Sequence, residues 1–314
     1  MKQLLKKISF IVLILYILNL LFTLALDKMY EANYSGPQDG TLNYYLKTQK
    51  SDTLLVGSSC VLHHLIPSYF GKNTFNLSCQ TRYLGYQTAI IEILNQEQKL
   101  PSSLLLFHIG PEDIHQNNKE KIMEQIHGLR YYYNKNEFIK EHIDQTSKFE
   151  YLKYYVSSFR HNGRVIELVN KRIFNKDEFP KQKGFLPLSP LGSNKNRLEA
   201  TARKNEVDEF YTSKTVNKEA LKLILRVQEI CKKKKIQLIV MTSPYLDPPI
   251  NILRSAEYLT NFLKSHKISY LNYLKNTPTK MLQKKLWYDN FHLNSEGAKI
   301  FSTIVRDDMK QIPN

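Results

Sequence analysis

The first apolar run of the chain, residues 8–26, contains no charged side chain. In a helix, with 1.5 Å per residue, it spans about 29 Å, which is close to the hydrocarbon thickness of a bilayer. Three lysines precede it within residues 1–7, and Asp27 follows it. This charge asymmetry predicts an uncleaved transmembrane anchor, with the N-terminus in the cytoplasm and the rest of the chain across the membrane.

A cleaved signal peptide is the alternative interpretation of this run. The run is longer than the apolar core of a typical signal peptide, and residues 23–25 (Thr-Leu-Ala) match a small-x-small cleavage site poorly. We therefore expect a single-pass membrane protein whose main domain is extracytoplasmic, either periplasmic or at the cell surface.

Beyond the anchor, the pattern predicts a tether at residues 27–50, with a turn-rich stretch at 35–40, and one large domain at residues 51–314. In that domain, short continuous apolar runs typical of buried parallel strands alternate with segments of helical periodicity. The predicted strands are residues 53–56, 73–77, 103–109, 236–241 and 268–271, and the predicted helices are residues 83–96, 252–265 and 295–310. The alternation predicts an α/β fold, doubly wound around a parallel sheet.

This alternation fails between residues 115 and 216. The stretch is polar, rich in lysine and tyrosine, and mainly helical in pattern. We interpret residues 115–216 as a helical insertion that caps or flanks the sheet. Its tyrosines can line a sugar-binding surface, but tyrosines at helical spacing are more often half-buried packing residues, and we favour packing.

The formal net charge of the chain is +16, yet its lysines are scattered. The one tight run, residues 232–235, follows a helical segment, where it complements the helix dipole. Without a basic face or a known nucleic-acid module, nucleic acid is not an expected partner, whereas anionic glycans or lipid head groups suit a basic ectodomain.

No Cys or His spacing predicts a metal site, and no cofactor is expected. Cys60 and Cys79 can pair if their loops meet in an oxidising compartment, although isolated thiols are the favoured interpretation.

Two short motifs suggest chemistry. Residues 57–59 (Gly-Ser-Ser) follow the first predicted strand, and residues 289–292 (Asp-Asn-Phe-His) precede the last predicted helix. A serine nucleophile needs a base, and a histidine held by an aspartate supplies one. The loops after the first three strands and the loop before the last helix can converge at the carboxyl edge of a parallel sheet. The motifs therefore predict an acyl-transfer or ester-hydrolysis site.

On these motifs the chain resembles the SGNH hydrolase superfamily, also called GDSL esterases. Residues 57–59 stand for its Gly-Asp-Ser block, with Ser58 in the aspartate position, and residues 289–292 match its Asp-x-x-His block. The resemblance covers about residues 50–115 and 235–310. The layout is most similar to that of membrane-anchored bacterial SGNH-like proteins that work beside membrane-bound O-acyltransferases. Among these are the D-alanyl-lipoteichoic acid protein D and the alginate acetylation proteins.

The resemblance implies a flavodoxin-like three-layer fold with Ser59 as the nucleophile, His292 as the general base and Asp289 as its orienting partner. It implies no cofactor or metal. It also implies a membrane-anchored serine esterase or O-acyltransferase that acts on an acyl ester of a cell-surface or exported glycan. A membrane-bound O-acyltransferase is a possible partner.

The family's oxyanion donors are matched less well. The backbone N–H of Ser59 is retained, but the second block, here around Ser78 and Cys79, lacks its glycine. The third block, Gly-x-Asn-Asp in the family, lacks its asparagine in the loop around Gly110. These departures suit a slow transferase or a decayed site, because losing one oxyanion donor costs about 10²–10³ in rate.

Plainer interpretations stay open. The two serines can cap a helix, and the Asp-x-x-His motif can be a surface turn. For His63, His64 and His108 we favour surface or packing roles over catalytic ones. The alternative functions are a catalytically inactive glycan-binding or assembly protein of a cell-envelope acylation system, and a lipase-like enzyme acting on membrane lipids.

Overall fold

The computed structural model describes residues 1–80, 84–114, 120, 124–174, 182–189, 216–248 and 250–313. Within them, five strands form one parallel sheet of order β2-β1-β3-β4-β5. The strands are β1 Thr53–Val56, β2 Thr74–Asn76, β3 Leu104–His108, β4 Gln237–Thr242 and β5 Ser269–Asn272. The α/β class is confirmed, and the strand order is that of a flavodoxin-like doubly wound sheet.

Helices connect and cover the strands. They are α1 Lys2–Glu31, α2 Thr41–Thr48, α3 Ser59–His64, α4 Leu84–Gln96, α5 Glu137–Asp144, α6 Val165–Phe174, α7 Lys218–Lys234, α8 Ile250–Ser265 and α9 Ser295–Met309. The predicted strand and helix boundaries agree with these to within a few residues. Position 83, predicted as the start of α4, lies outside the described residues.

Apolar cores lie on both faces of the sheet. Leu54 and Leu105 point to one face and belong to a core shared with α4 and α7. Their neighbours Leu55 and Leu106 point to the other face, where they share a core with Phe301 of α9. Since successive side chains of a strand alternate between faces, continuous apolar runs are what a doubly covered sheet requires.

The segment predicted as a tether, residues 27–50, differs from that prediction. The side chains of Tyr30, Leu42 and Tyr45 are fully buried in the core beside α4. The Asn43 side-chain amide donates to the carbonyl oxygen of Tyr30 at 2.6 Å. This segment is packed because its apolar side chains face the domain, which a turn-rich composition does not reveal.

Much of the stretch predicted as an insertion is helical where it is described. It holds α5, α6 and three 3₁₀ segments, at Gln125–Tyr132, Glu150–Tyr155 and Ser157–His161. Tyr133 stacks on Tyr154 with their ring centroids 3.5 Å apart, and both are buried. These two tyrosines are packing residues.

Among the described residues, one helix, α1, is long and apolar enough to span a membrane. Its most apolar window has a mean hydropathy of 2.6. Its side chains before Asn19 are exposed, whereas Thr23, Leu26 and Tyr30 are buried against the domain. The helix therefore continues into the domain without a break.

Candidate active site

Ser59 stands at the turn between β1 and α3. A Cβ at Gly57 would lie 2.6 Å from the Cβ of His108 and 2.7 Å from a methyl of Val61, so only glycine fits this close approach. Ser58 is the N-cap of α3, and its Oγ accepts from the backbone N–H of Cys60 at 3.4 Å. The capping role proposed for either serine thus falls to Ser58, and the Ser59 hydroxyl points elsewhere.

The Ser59 hydroxyl meets the imidazole of His292. Its Oγ lies 2.8 Å from Nε2 of His292, and Nδ1 of the same ring lies 2.9 and 3.0 Å from the two carboxylate oxygens of Asp289. In the neutral ring, Nδ1–H donates to Asp289 and Nε2 accepts from Ser59. The structure therefore brings together all three residues that the sequence predicts as a catalytic set. Ser59 and His292 are 233 positions apart in the chain.

Asp289 is held by its own loop. Its Oδ1 accepts from the backbone N–H groups of Phe291 at 2.8 Å and of His292 at 2.7 Å. Burial raises the pKa of Asp289, but hydrogen bonds and the charge of His292 outweigh burial, so the pKa stays below its usual value. The carboxylate is therefore ionised and fixes the orientation of the imidazole.

The loop that carries His292 is fastened to α3. His64, at the end of α3, accepts from the backbone N–H of Leu293 at 3.0 Å through Nε2. Its ring packs edge-on against Trp287 and Phe301. Burial, and then the nearby charge of His292, lower the pKa of His64 well below its usual value, so it is a neutral acceptor. The helix that begins with Ser59 thus also positions the base.

The other two neighbouring histidines are also neutral. Nδ1 of His63 lies 2.7 Å from the carbonyl oxygen of Leu186, and burial lowers its pKa to about 4. Nδ1 of His108 lies 3.4 Å from Oγ of Ser58, and burial lowers its pKa to about 3. These environments favour packing and positioning roles for both.

Three of the four oxyanion candidates use their backbone N–H inside the protein. The N–H of Ser78 donates to Oδ1 of Asn76 at 2.9 Å, and that of Cys79 to the carbonyl oxygen of Gly57 at 3.1 Å. The N–H of Gly110 donates to Oδ2 of Asp113 at 2.9 Å. These three amides are therefore not free to bind an oxyanion, which corrects the expectation for them.

Two donors remain in the segments that follow β1 and β2. Ser59 is the first residue of α3, and no acceptor for its backbone N–H is found in the described part of the chain. The hydroxyl of Ser78 is buried and likewise has no partner among the described residues. Ser78 is thus a donor through its side chain, not through its backbone.

Glu112 is the feature of the site that sequence analysis missed. It occupies the third position of Gly110-Pro111-Glu112-Asp113, where the resembled block carries asparagine. Its half-buried carboxyl accepts from the Tyr245 hydroxyl at 3.1 and 3.2 Å, and a Cβ at Gly110 would lie 2.4 Å from it. The sequence carried a signal for this role, namely a glutamic acid in the asparagine position. A protonated glutamic acid can donate a hydrogen bond, as an asparagine amide does.

Glu112 and Asp113 form a pair of neighbouring carboxyls. Burial raises the pKa of Glu112, and burial together with the charge of Glu112 raises the pKa of Asp113 to about 8. Asp113 accepts backbone N–H groups on both oxygens, from Leu84 at 3.2 Å and from Gly110 at 2.9 Å, which favours its ionised form. Together the two carboxyls therefore retain a proton to a higher pH than isolated carboxyls do.

The cysteines are buried thiols, and no disulfide joins Cys60 to Cys79. The Sγ of Cys60 donates to the carbonyl oxygen of Phe291 at 3.7 Å, and burial and then Glu112 raise its pKa. A thiol in this environment is a poor nucleophile. Among the described residues, no cluster of His, Cys, Asp and Glu could hold a metal ion.

Comparison with known proteins adds little. No family model and no curated protein matches the chain. Solved structures do match. One is the crystal structure of a Bacteroides fragilis protein provisionally described as an acylhydrolase, with 10% identity, coverage of 86% of this chain and 94% of that chain, and a TM-score of 0.40. A likeness of this degree carries no conclusion about chemistry.

Proposed function

We propose that the protein is a membrane-anchored serine esterase or O-acyltransferase that acts on an acyl ester of a cell-surface or exported glycan. The carrying observation is the hydrogen-bonded chain from the Ser59 hydroxyl, at 2.8 Å, to His292 and from His292, at 2.9 Å, to Asp289. Hydrogen-bond reach from nucleophile to base and from base to orienter is the signature of an activated serine.

In the proposed mechanism, His292 Nε2 takes the proton of Ser59 as Oγ attacks the acyl carbonyl. Ionised Asp289 stabilises the imidazolium, which then protonates the departing alkoxide, and an acyl-serine remains. In the second half, His292 deprotonates water or a sugar hydroxyl, which attacks the acyl carbon. The serine Oγ–acyl bond breaks, and Ser59 regains its proton from His292.

Three groups are proposed to hold the oxyanion of the tetrahedral intermediate: the Ser59 backbone N–H, the Ser78 hydroxyl and the protonated Glu112 carboxyl. A buried carboxylic acid that stays neutral can donate to a developing negative charge. Two of these donors are side chains and one is titratable, so stabilisation is weaker than in a site with fixed amides. We therefore expect slow hydrolysis by water and preferential transfer of the acyl group to a hydroxyl that is positioned in the site.

The finer parts of the proposal have separate support. The anchor is supported by the length and apolar character of α1. The glycan acceptor and an acyltransferase partner are supported by the resemblance of the motifs and layout to envelope acylation proteins. The extracytoplasmic placement of the domain is supported by the lysines that precede the apolar run.

A fluorophosphonate probe tests the nucleophile in the full-length protein in detergent. We expect mass spectrometry to find the adduct on Ser59, and p-nitrophenyl acetate hydrolysis to depend on the same residue. Ser59→Ala abolishes both. Ser58→Ala is the matched control, because it removes a neighbouring hydroxyl that caps α3, and it retains the adduct. A folded wild-type protein that takes no label contradicts the proposal.

The competing candidate is a catalytically inactive assembly or glycan-binding protein with the same fold. It is favoured by the internal use of the Ser78, Cys79 and Gly110 amides. Isothermal titration with an acylated and a deacylated glycan oligomer separates the two. Binding of both with no Ser59-dependent acyl release favours the inactive protein.

A further inference from the structure

Exposed apolar side chains outside α1 concentrate in two short segments of the insertion. Of the eleven large hydrophobic side chains that are exposed beyond α1 in the described residues, nine lie in 149–156 and in α6. They are Phe149, Tyr151, Leu152, Tyr155, Val156, Ile166, Val169, Ile173 and Phe174. A concentration of this kind on one side of a soluble domain marks a binding surface.

The apolar face of α6 is turned away from the protein. Leu168 is buried, whereas Ile166, Val169 and Ile173, spaced as one helical stripe, are exposed. Arg164, directly before α6, pairs with Asp39 of the packed segment 27–50 (the neck), and Lys171 of α6 is half-buried. An exposed apolar stripe of this kind is not expected on a helix that faces only water.

Hydrogen bonds fix the height of this surface along α1. Asn19 donates to the Ser157 hydroxyl at 2.8 Å, and the hydroxyls of Thr23 and Ser157 lie 3.0 Å apart. Ser157 directly follows the exposed residues Tyr155 and Val156. At 1.5 Å per residue, its level on α1 is about 9 Å before Asp27, inside the run that is apolar enough to span a membrane.

A polar layer lies one turn further along α1. The Asp27 carboxylate accepts from both Arg160 and His161, the latter at 2.7 Å. Beyond it, Glu31 accepts from the Tyr131 hydroxyl and pairs with Lys135 at 3.5 Å. The order along α1 is therefore an exposed apolar surface up to residue 18, then uncharged hydrogen bonds at Asn19 and Thr23, then charges, as it is at the edge of a bilayer.

We propose that residues 149–156 and α6 form an apolar platform that inserts beside α1 into the hydrocarbon and interface of the bilayer leaflet nearest the domain. The occupant is lipid, because Ser157 holds residues 149–156 beside the exposed apolar surface of α1, and α6 also packs against α1. Its exposed tyrosines, Tyr151 and Tyr155, are of the type that lies at membrane interfaces. The inference rests on the membrane-anchor part of the proposed function and not on its chemistry.

Depth-dependent quenching tests the platform in the full-length protein in nanodiscs. Tyr155→Cys and Ile173→Cys variants carry an environment-sensitive NBD label, and the lipids carry a doxyl group on the acyl chain. Both sites are exposed, so substitution leaves the fold intact. The matched control is Lys284→Cys, an exposed position in the segment Lys284–Leu286, which packs against α9. Unsubstituted protein with its three buried thiols gives the labelling background.

We expect blue-shifted emission and quenching at both platform sites, and neither effect at Lys284→Cys. A label at Leu15→Cys reports on the anchor itself. Quenching at Leu15→Cys with none at the platform sites overturns the platform while the anchor stands. Absence of quenching at all four sites overturns the anchor and the platform together. Neither outcome bears on Ser59, so failure here is distinct from failure of the esterase proposal.

Discussion

The imidazole of His64 accepts a hydrogen bond from the backbone N–H of Leu293, 229 positions further along the chain. His64 closes the helix that Ser59 opens, and Leu293 directly follows His292. One short helix therefore sets both the nucleophile and the base. The 2.8 Å contact between them depends on a buried interaction that no local motif contains.

Replacing His64 with alanine is expected to slow Ser59 labelling and to destabilise the fold. The variant leaves the Leu293 N–H unpaired and a cavity beside Trp287, at a cost of about 2–4 kcal/mol. Stopped-flow labelling with the fluorophosphonate and urea unfolding measure the two effects. His64→Gln restores an acceptor and should recover part of the labelling rate. Equal losses in both variants would contradict the positioning role.

Asp289→Asn is expected to reduce p-nitrophenyl acetate turnover on the order of 10³–10⁴-fold with little change in stability. The amide Oδ1 can still accept from Phe291 and His292, so the loop keeps its shape. The amide, however, favours the wrong tautomer of His292, whose Nε2 then carries the proton. The adduct rate on Ser59 and the urea midpoint are measured side by side. A variant with near-wild-type turnover would remove Asp289 from the mechanism.

The carboxyl pair predicts how stability depends on pH. Both pKa values are raised in the folded protein, that of Asp113 to about 8, so the folded state holds a proton that the unfolded chain releases above about pH 4. The stabilisation is fully present below about pH 4 and is lost as pH rises through about 8, with a slope of at most about 1.4 kcal/mol per pH unit for each proton retained.

Urea unfolding in detergent at several values between pH 5 and pH 9 measures this slope. Glu112→Gln removes one carboxyl while keeping its size, and it should flatten the dependence. Lys284→Gln, at an exposed position, is the neutral control. An unchanged slope in Glu112→Gln would show that the pair does not hold the proton.

Glu112→Gln also tests the proposed oxyanion donor. The amide donates at every pH, whereas the acid donates only while protonated, so the variant should retain activity at high pH, where the wild type loses it as the acid ionises. Glu112→Ala should lose about 10²-fold or more across the whole range. The readout is the pH profile of Ser59 acylation. Identical profiles for wild type and Glu112→Gln would assign Glu112 a structural role.

The sequence reveals what depends on local pattern. Continuous apolar runs predict β1, β3 and β4 because strands covered on both faces have no polar side. The Asp-x-x-His spacing predicts the contact of Asp289 with His292 because both lie in one loop. The pairing of Ser59 with that loop required the additional inference that carboxyl ends of parallel strands converge.

The rest depends on contacts between distant segments. The engagement of the Gly110 and Ser78 amides is set by nearby side-chain oxygens whose orientation no periodicity encodes. The neck is packed through Tyr30 and Tyr45, whose ring partners, Tyr131 and Phe75, lie in other segments of the chain. The environment of the apolar stripe of α6 could not be predicted either. Helical periodicity predicts that such a stripe is covered, but not whether protein or lipid covers it.

The packed neck has a consequence for reach. The C-terminal end of α1 is held in the domain, because Tyr30 is buried and its carbonyl oxygen accepts from the Asn43 side chain. No flexible linker therefore separates α1 from the loops that carry Ser59 and His292. With α1 in a bilayer, Ser59 is therefore held at one height and one tilt above the lipid surface. For the proposed glycan substrate, only the portion that passes through that thin layer comes within reach of Ser59. The architecture would then set where along the polymer the proposed modification is placed.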